Sequence, residues 1–408
     1  MTHVAIFMFP GYGHVNPTLE LSRHLVAAGH RVTYVVEERH TASVTAVGAR
    51  VVDYAWRRDA TGHGAVSGED IGALGLAFLR ESIEVILPRA LAAFAADVPD
   101  LVLYDLESFF TARTAARRWG RPTGQLFPYV ASNEHFSLAL EVFDGAGEHV
   151  QQCIDLVTAQ LTADGREPDE VWSFLANFDR RNLALLPREF QPRGETFDER
   201  YTFVGHSFAT DQPGTGSWRH PSGTGPVALI TLGTEVNDRP EFFRTCGAAF
   251  ADGRWHVVMT VGPGNLPATG SGPAHLEVHE WLPFRAVLPH AAVVVCHGGM
   301  GSVLESLFFG RPLVIVPHTP EQTLNGARVA ELGLGRVLPR DEFDAERLRA
   351  TVEQVADDPG IRDRVARMRE AMLAAGGPAR AAEVVEGWLR ERPDADWALS
   401  GHAVEGVQ

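Results

Sequence analysis

Val293-Val-Val-Cys-His-Gly-Gly-Met-Gly-Ser-Val-Leu-Glu-Ser-Leu307 is the stretch whose reading decides the fold of this chain. Ala291 to Cys296 is a short, β-branched apolar run, the pattern of a strand covered on both faces of a parallel sheet. Gly298, Gly299 and Gly301 remove side chains where the chain turns, so backbone N–H groups can approach a ligand closely. Ser302 falls where a helix is expected to begin, and a helix N-terminus carries unpaired N–H groups and partial positive charge. Together these make an anion site, most often for phosphate. His297, at the carboxyl end of the strand, adds one more donor. Two plainer readings stand beside this one. Ser302-x-x-Glu305 has the form of a capping box, and a histidine beside a glycine turn is commonly a bonded loop residue.

Working outward, the same alternation of strand and helix fills the chain. His3 to Phe9 reads as a strand, Gly11-Tyr-Gly-His-Val-Asn-Pro17 as a loop, and Asn16 as the cap of a helix with Pro17 at its first position. Leu21, Leu25 and Ala28 share a face, Gly29 ends the helix, and Arg31 to Val36 is the next strand. The opening is therefore βαβ, which requires a parallel sheet. Asp100 to Asp105, Phe109 to Trp119 and Thr123 to Phe127 continue it as strand, helix and strand. The less regular regions 56–98 and 130–182 hold helical patterns and large apolar residues: Phe78, Phe94, Phe136, Phe143, Trp172, Phe174 and Phe178. Most are expected in the core, with some lining an apolar pocket above the sheet's carboxyl edge.

Asp211 to Pro226, rich in Gly, Pro, Ser and Thr, reads as a linker. Beyond it, Val227 to Leu232, Trp255 to Val261, Leu276 to His279, Ala291 to Cys296 and Pro312 to Val316 are strands with helices between them. Ile361, Val365, Met368 and Met372 form a helical stripe. After a Gly376-Gly-Pro378 break, Ala379 to Arg390 is a last helix, and the remaining residues are expected to fray. The fold class is α/β, with two doubly wound domains facing each other.

The bulk numbers agree. A chain of 408 residues exceeds one core and suggests two domains of roughly 200 residues each. Its net charge of −16, with no basic stripe, argues against a nucleic-acid partner. Three cysteines without CxxC spacing make neither a disulfide framework nor a zinc site. No signal peptide is seen, and no run reaches the ~18 apolar residues of a membrane span. A cytoplasmic protein is expected.

Several features converge at strand carboxyl ends in the second half: the glycine turn, Leu232-Gly-Thr234, Pro317-His-Thr-Pro-Glu-Gln322, and Trp281 in His279-Glu-Trp-Leu-Pro-Phe284. A tryptophan to stack on a base, turn N–H groups for phosphates and an acid–amide pair for hydroxyls suit a nucleotide carrying a sugar. Taken singly, Trp281 is more commonly a core residue and Glu321-Gln322 an exposed helix start. Gly205-His-Ser-Phe-Ala209 only approaches a hydrolase nucleophile elbow, because a Pro/Gly-rich stretch follows in place of a helix. Walker A and GxGxxG are absent.

His297-Gly-Gly-Met-Gly-Ser302, Glu305 and Pro317-x-x-x-Glu-Gln322 resemble the nucleotide-sugar signature of the inverting UDP-glycosyltransferase superfamily. The bacterial antibiotic and macrolide branch is most similar, and Gly13-His14-Val-Asn-Pro17 resembles that family's opening loop. The resemblance implies a GT-B fold: an acceptor-binding domain over 1–210, the linker 211–226, a nucleotide-sugar domain over 227–378, and a C-terminal helix and tail over 379–408, the helix returning to the first domain. It also implies roles. Trp281 stacks on uracil or thymine and the Leu282 backbone pairs with the base. His297, Gly299, Gly301 and Ser302 hold the diphosphate, with Thr234 near it. Glu305 binds the ribose, while Glu321 and Gln322 grip the transferred sugar. Phe284 departs from the pattern, standing where many members have Gln.

Displacement at an anomeric carbon needs a base for the acceptor hydroxyl, and a histidine of pKa about 6.5 suits that task at neutral pH. His14 follows the first strand, and Asp105 ends a strand that parallel pairing could bring beside it as the orienting carboxylate. The family uses such a pair at these positions. The expected partners are a UDP- or dTDP-sugar and a hydrophobic macrolide, polyketide or phenolic acceptor, with a homodimer as a candidate assembly. No cofactor and no metal cluster are expected; Asp394-Ala-Asp396 lies in the tail. Attack by an aromatic carbon in place of oxygen, a sugar-nucleotide epimerase, and a non-catalytic sugar-nucleotide-binding accessory protein are the alternative readings.

Overall fold

A computed structural model of the protein describes residues 2–56, 67–142, 147–167, 170–171, 174–175, 178–208, 218–223, 225–233, 239–266 and 273–391. They form two compact units: one from the described residues up to Phe208 and those from Ala375 on, the other from those between. Phe143, Trp172, Thr234, the start of the expected linker and the Asp394-Ala-Asp396 tail lie outside the described residues.

The first unit contains a parallel sheet of seven strands: β1 (His3–Phe7), β2 (Arg31–Glu37), β3 (Arg50–Tyr54), β4 (Leu101–Tyr104), β5 (Thr123–Phe127), β6 (Asn182–Ala184) and β7 (Tyr201–Phe203). Their order is β3-β2-β1-β4-β5-β6-β7. Period-two alternation splits the residues from β1 onward between two cores. Val4, Ile6 and Met8 join one buried cluster, while Ala5, Phe7 and Phe9 join the other. Helix α1 (Tyr12–Ala27) covers the first cluster with Leu21 and Leu25, and α2 (Phe109–Trp119) covers the second with Phe110, Ala112, Ala115 and Ala116. Phe78, Phe94, Phe136 and Phe174 are all buried.

The second unit contains a six-stranded parallel sheet, β10-β9-β8-β11-β12-β13. It is made of β8 (Val227–Thr231), β9 (His256–Thr260), β10 (Leu276–His279), β11 (Ala291–Cys296), β12 (Leu313–Ile315) and β13 (Gly335–Val337). Helix α3 (Met300–Phe308) follows β11 and α4 (Pro320–Glu331) follows β12. Among the described residues no helix is long and apolar enough to cross a membrane.

The structure departs from the sequence expectations in several places. Helix α1 begins at Tyr12 behind Gly11, so Pro17 lies inside it and Asn16 is not its cap. The N–H groups of His14 and Val15 already bond to the Gly11 carbonyl, which starts the helix one turn early. Strands β3, β6, β7 and β13 were not foreseen; β6, β7 and β13 have three residues each, too short to show a period. Trp218, within the expected linker, donates its indole N–H to Glu277 of β10 at 2.9 Å, so this end of the segment is anchored. The last helix, α5 (Gly377–Arg390), belongs to the first unit, whose share of the chain resumes at Ala375 rather than 379. Ala381, Ala382 and Val385 complete the α1-side core, and Trp388 rests on Gly124 of β5.

Candidate active site

Both sheets place their polar groups where the strand order reverses. In the first unit β1 pairs with both β2 and β4, so the segments leaving β1 and β4 diverge and open a crevice at the carboxyl edge. Phe7 is in register with Tyr104, and the Asp105 N–H bonds back to the Phe7 carbonyl. That register brings Asp105 under the first turn of α1. Its side chain is fully buried, and His14 Nδ1 lies 2.9 Å from Asp105 Oδ2. The same oxygen accepts the Phe9 N–H at 2.9 Å, and Oδ1 accepts the Ser108 N–H at 3.1 Å. An acceptor held by two backbone donors makes Nδ1 the protonated nitrogen of neutral His14, which puts the ring's basic lone pair on Nε2.

The ring of His14 packs against Phe9 and Tyr129, with centroids 4.9 and 5.2 Å away, and Phe9 in turn meets Trp56 and Phe78. Gly11 makes this approach possible, since a Cβ there would come within 2.9 Å of the imidazole. His14 and Asp105 therefore meet, as the sequence implied, although His14 stands on a helix rather than on a loop.

The sequence reading passed over Glu107 and Tyr129. Glu107 Oε2 lies 3.6 Å from His14 Nδ1 and accepts the Tyr129 hydroxyl at 2.7 Å. Burial raises the Glu107 carboxyl to about 7, with Asp105 adding to the rise and His14 and Tyr129 opposing it. The signal in the sequence was the Asp105-Leu-Glu107 pair of acids just past a strand. His14, Asp105 and Glu107 bring their ligand-type atoms within 4.8 Å of one another, a grouping not foreseen when no metal cluster was expected. Their oxygens already accept the Phe9 N–H, the Ser108 N–H and the Tyr129 hydroxyl, which suits a hydrogen-bonded cluster better than an ion cage.

In the second unit the order reverses between β8 and β11, and the glycine turn leaves from that point. Gly298 has φ +91°, and a Cβ there would meet Ile315 and the Gln322 carbonyl. Only glycine allows the turn to lie this close to the start of α4. Asn325, buried and not foreseen, donates its amide to the Gly298 carbonyl at 2.9 Å. Helix α3 starts behind Gly299, so Ser302 is its third residue, and no side chain caps it. The alternative reading of Ser302 and Glu305 as a capping box does not hold, because the helix starts behind Gly299, three residues before Ser302; Glu305 instead accepts from the Arg285 guanidinium at 2.8 Å. Arg285 lies four residues past Trp281, and the pair ties that turn to α3.

Trp281 is 69% exposed, not core, and Leu282 beside it is half-buried. His297 sits between Gly233 and Gly299, and its Nδ1 has no hydrogen-bond partner among the described residues. Burial lowers its pKa to about 4, with His318 contributing, so at neutral pH it offers an N–H and no charge. Gln322 accepts the His318 N–H at 2.8 Å, while the Thr319 side chain caps α4 at the Gln322 N–H. Glu321 Oε1 lies 3.4 Å from the Asn325 amide. The structure thus gathers His297, Gly299, Gly301, Ser302, Glu321 and Gln322 around two adjacent helix starts, and Glu305 of α3 bonds to Arg285, four residues past the exposed Trp281.

Two doubly wound parallel-sheet units in one chain, each with its polar groups at a switch point, define the GT-B class. The crystal structure of a calicheamicin glycosyltransferase is 40% identical to the chain, covers 95% of it and 98% of that chain, and superposes with a TM-score of 0.85. Demethyllactenocin mycarosyltransferase of Streptomyces fradiae is 37% identical over 95% of this chain and 87% of its own length. Oleandomycin glycosyltransferase of Streptomyces antibioticus is 34% identical over 100% and 96%. Residues 248–388 match the family described as erythromycin biosynthesis protein CIII-like, C-terminal domain. The chain belongs to the bacterial macrolide and antibiotic branch of the UDP-glycosyltransferase superfamily, and it is a glycosyltransferase.

Proposed function

We propose that this glycosyltransferase moves a sugar from a UDP- or dTDP-sugar to a hydroxyl of a hydrophobic natural product, a macrolide, polyketide or phenol, by one inverting displacement without metal. The carrying observation is the His14–Asp105 hydrogen bond of 2.9 Å, its carboxylate fully buried. His14 Nε2 takes the acceptor's proton as its oxygen attacks the anomeric carbon. Asp105 keeps the ring in the right tautomer and stabilises the imidazolium. The aromatic surroundings of His14 favour an apolar acceptor.

In the second unit the N-terminus of α3, with Gly299, Gly301 and Ser302, receives the diphosphate. Neutral His297 donates to it, so charge building on the leaving group meets dipoles and N–H groups. Trp281 stacks on the base and the Leu282 backbone pairs with it. Glu305, oriented by Arg285, takes the ribose hydroxyls, and Glu321 and Gln322 take the sugar. The reaction belongs in the cytoplasm, where sugar nucleotides are available.

His14→Ala tests this reading with chelator present throughout. We expect kcat to fall by about 10²- to 10⁴-fold, while UDP or dTDP affinity by calorimetry stays that of the parent. Normal turnover in the variant would remove the base, and activity lost to chelator alone would remove the metal-free reaction.

A further inference from the structure

We propose that Glu107 is a positioning residue for the transfer: a second carboxylate on the His14 ring, held by the Tyr129 hydroxyl, that stabilises the imidazolium formed when His14 takes the acceptor's proton. The inference rests on His14 being the base. A histidine–carboxylate pair needs one acid, and Asp105 already fills that place with its oxygens bonded to Nδ1 and to two backbone N–H groups. Glu107 is additional. Its Oε2 stands 3.6 Å from the same Nδ1, beyond a good hydrogen bond but well within the range of charge.

Tyr129 links the two groups. Its hydroxyl donates to Glu107 Oε2 at 2.7 Å, its oxygen receives the Leu106 N–H at 3.3 Å, and its ring lies against His14. The groups facing Glu107 are therefore His14 from α1, Asp105 two residues back and Tyr129 beyond β5. Burial, then Glu107 and Asp105, raise the Tyr129 phenol, so it remains a donor at every working pH. Tyr54 is pushed up by burial first, then by Asp105, Glu37 and Glu81, and it too stays neutral. Glu107, its carboxyl raised to about 7, is left as the titrating acid beside the His14 ring.

The sign follows. As the acceptor's proton arrives on Nε2, ring and Glu107 become a close opposite-charge pair, provided Glu107 is ionised. Removing that charge makes His14 a weaker base and lets it stay unprotonated to lower pH. Glu107→Gln keeps an acceptor for Tyr129 but not the charge. We expect its kcat to fall several-fold and the acid limb of its kcat/KM profile to move down by about one pH unit, with nucleotide affinity unchanged. Tyr129→Phe keeps the ring on His14 and removes the donor that favours the Glu107 anion, so its limb moves the same way by less.

The experiment is the pH profile of parent, Glu107→Gln and Tyr129→Phe, with His14→Ala run alongside. An inactive His14→Ala with both limbs unmoved overturns the Glu107 assignment alone. So does a rise in acceptor KM with an unmoved limb, which would make Glu107 an acceptor contact. Parental turnover in His14→Ala overturns the base, and Glu107's role with it. If Glu107→Gln does not fold, the Tyr129→Phe limb decides.

Discussion

At Gly301 the informative quantity is the space beside the backbone. A Cβ added there meets nothing within 4 Å among the described residues, and the residue is exposed in the first turn of α3. Neither packing nor a left-handed φ asks for glycine, unlike Gly298 two residues before the helix. The open space leaves room for close approach of the diphosphate proposed above for the N-terminus of α3. Gly301→Ala should therefore leave stability unchanged or raise it, since alanine favours a helix by ~1 kcal/mol over glycine. Donor affinity should fall at least tenfold. Thermal unfolding and nucleotide titration on one preparation check both halves, and an alanine variant that binds the nucleotide normally would take the phosphate away from this turn.

At the scale of elements, the glycine turn and α4 act as one piece because Asn325 reaches back to the Gly298 carbonyl. Its side chain is buried, so Asn325→Ala leaves a carbonyl without its partner at a cost of roughly 1–3 kcal/mol. Unfolding of the second unit should begin several degrees lower, and donor affinity should fall because the turn is no longer pinned. Equal donor affinity in the variant would mean that the turn holds its shape without α4.

This tie also marks the limit of what the sequence made legible. Strand β11 and its glycine turn could be read because β-branched residues and glycines act locally, and the α/β class followed from their repetition. His14 and Asp105 could be paired because parallel neighbours end at the same edge. Asn325, Arg285 and Tyr129 could not, since each acts across a fold whose register no local pattern states. The start of α1 was misplaced for a related reason. Pro17 looks like a first-turn residue, yet the Gly11 carbonyl captures the N–H groups of His14 and Val15 before the chain reaches it.

At the scale of the molecule, the chain leaves the first unit at Phe208 and returns at Ala375, so α5 closes a core begun by β1. Three contacts make that return structural. Val385 is fully buried beside Leu21 and Leu25, Gly377 donates its N–H to the Val204 carbonyl at 2.8 Å, and Arg181 bonds Glu391 at 2.6 Å. A charge at position 385 would have no partner in that cluster. Val385→Asp should therefore destabilise the first unit severely, by more than about 3 kcal/mol, although it lies 177 residues beyond Phe208 in the chain. Hydrogen exchange on the full-length variant locates the damage. Amides of β1, α1 and β5 should lose protection while those of β8, β11 and β12 keep theirs, and UDP or dTDP should still bind a protein that no longer transfers sugar. Equal loss across both sheets would mean that the two units unfold as one, and the last helix would then stabilise the whole chain rather than the half that holds His14.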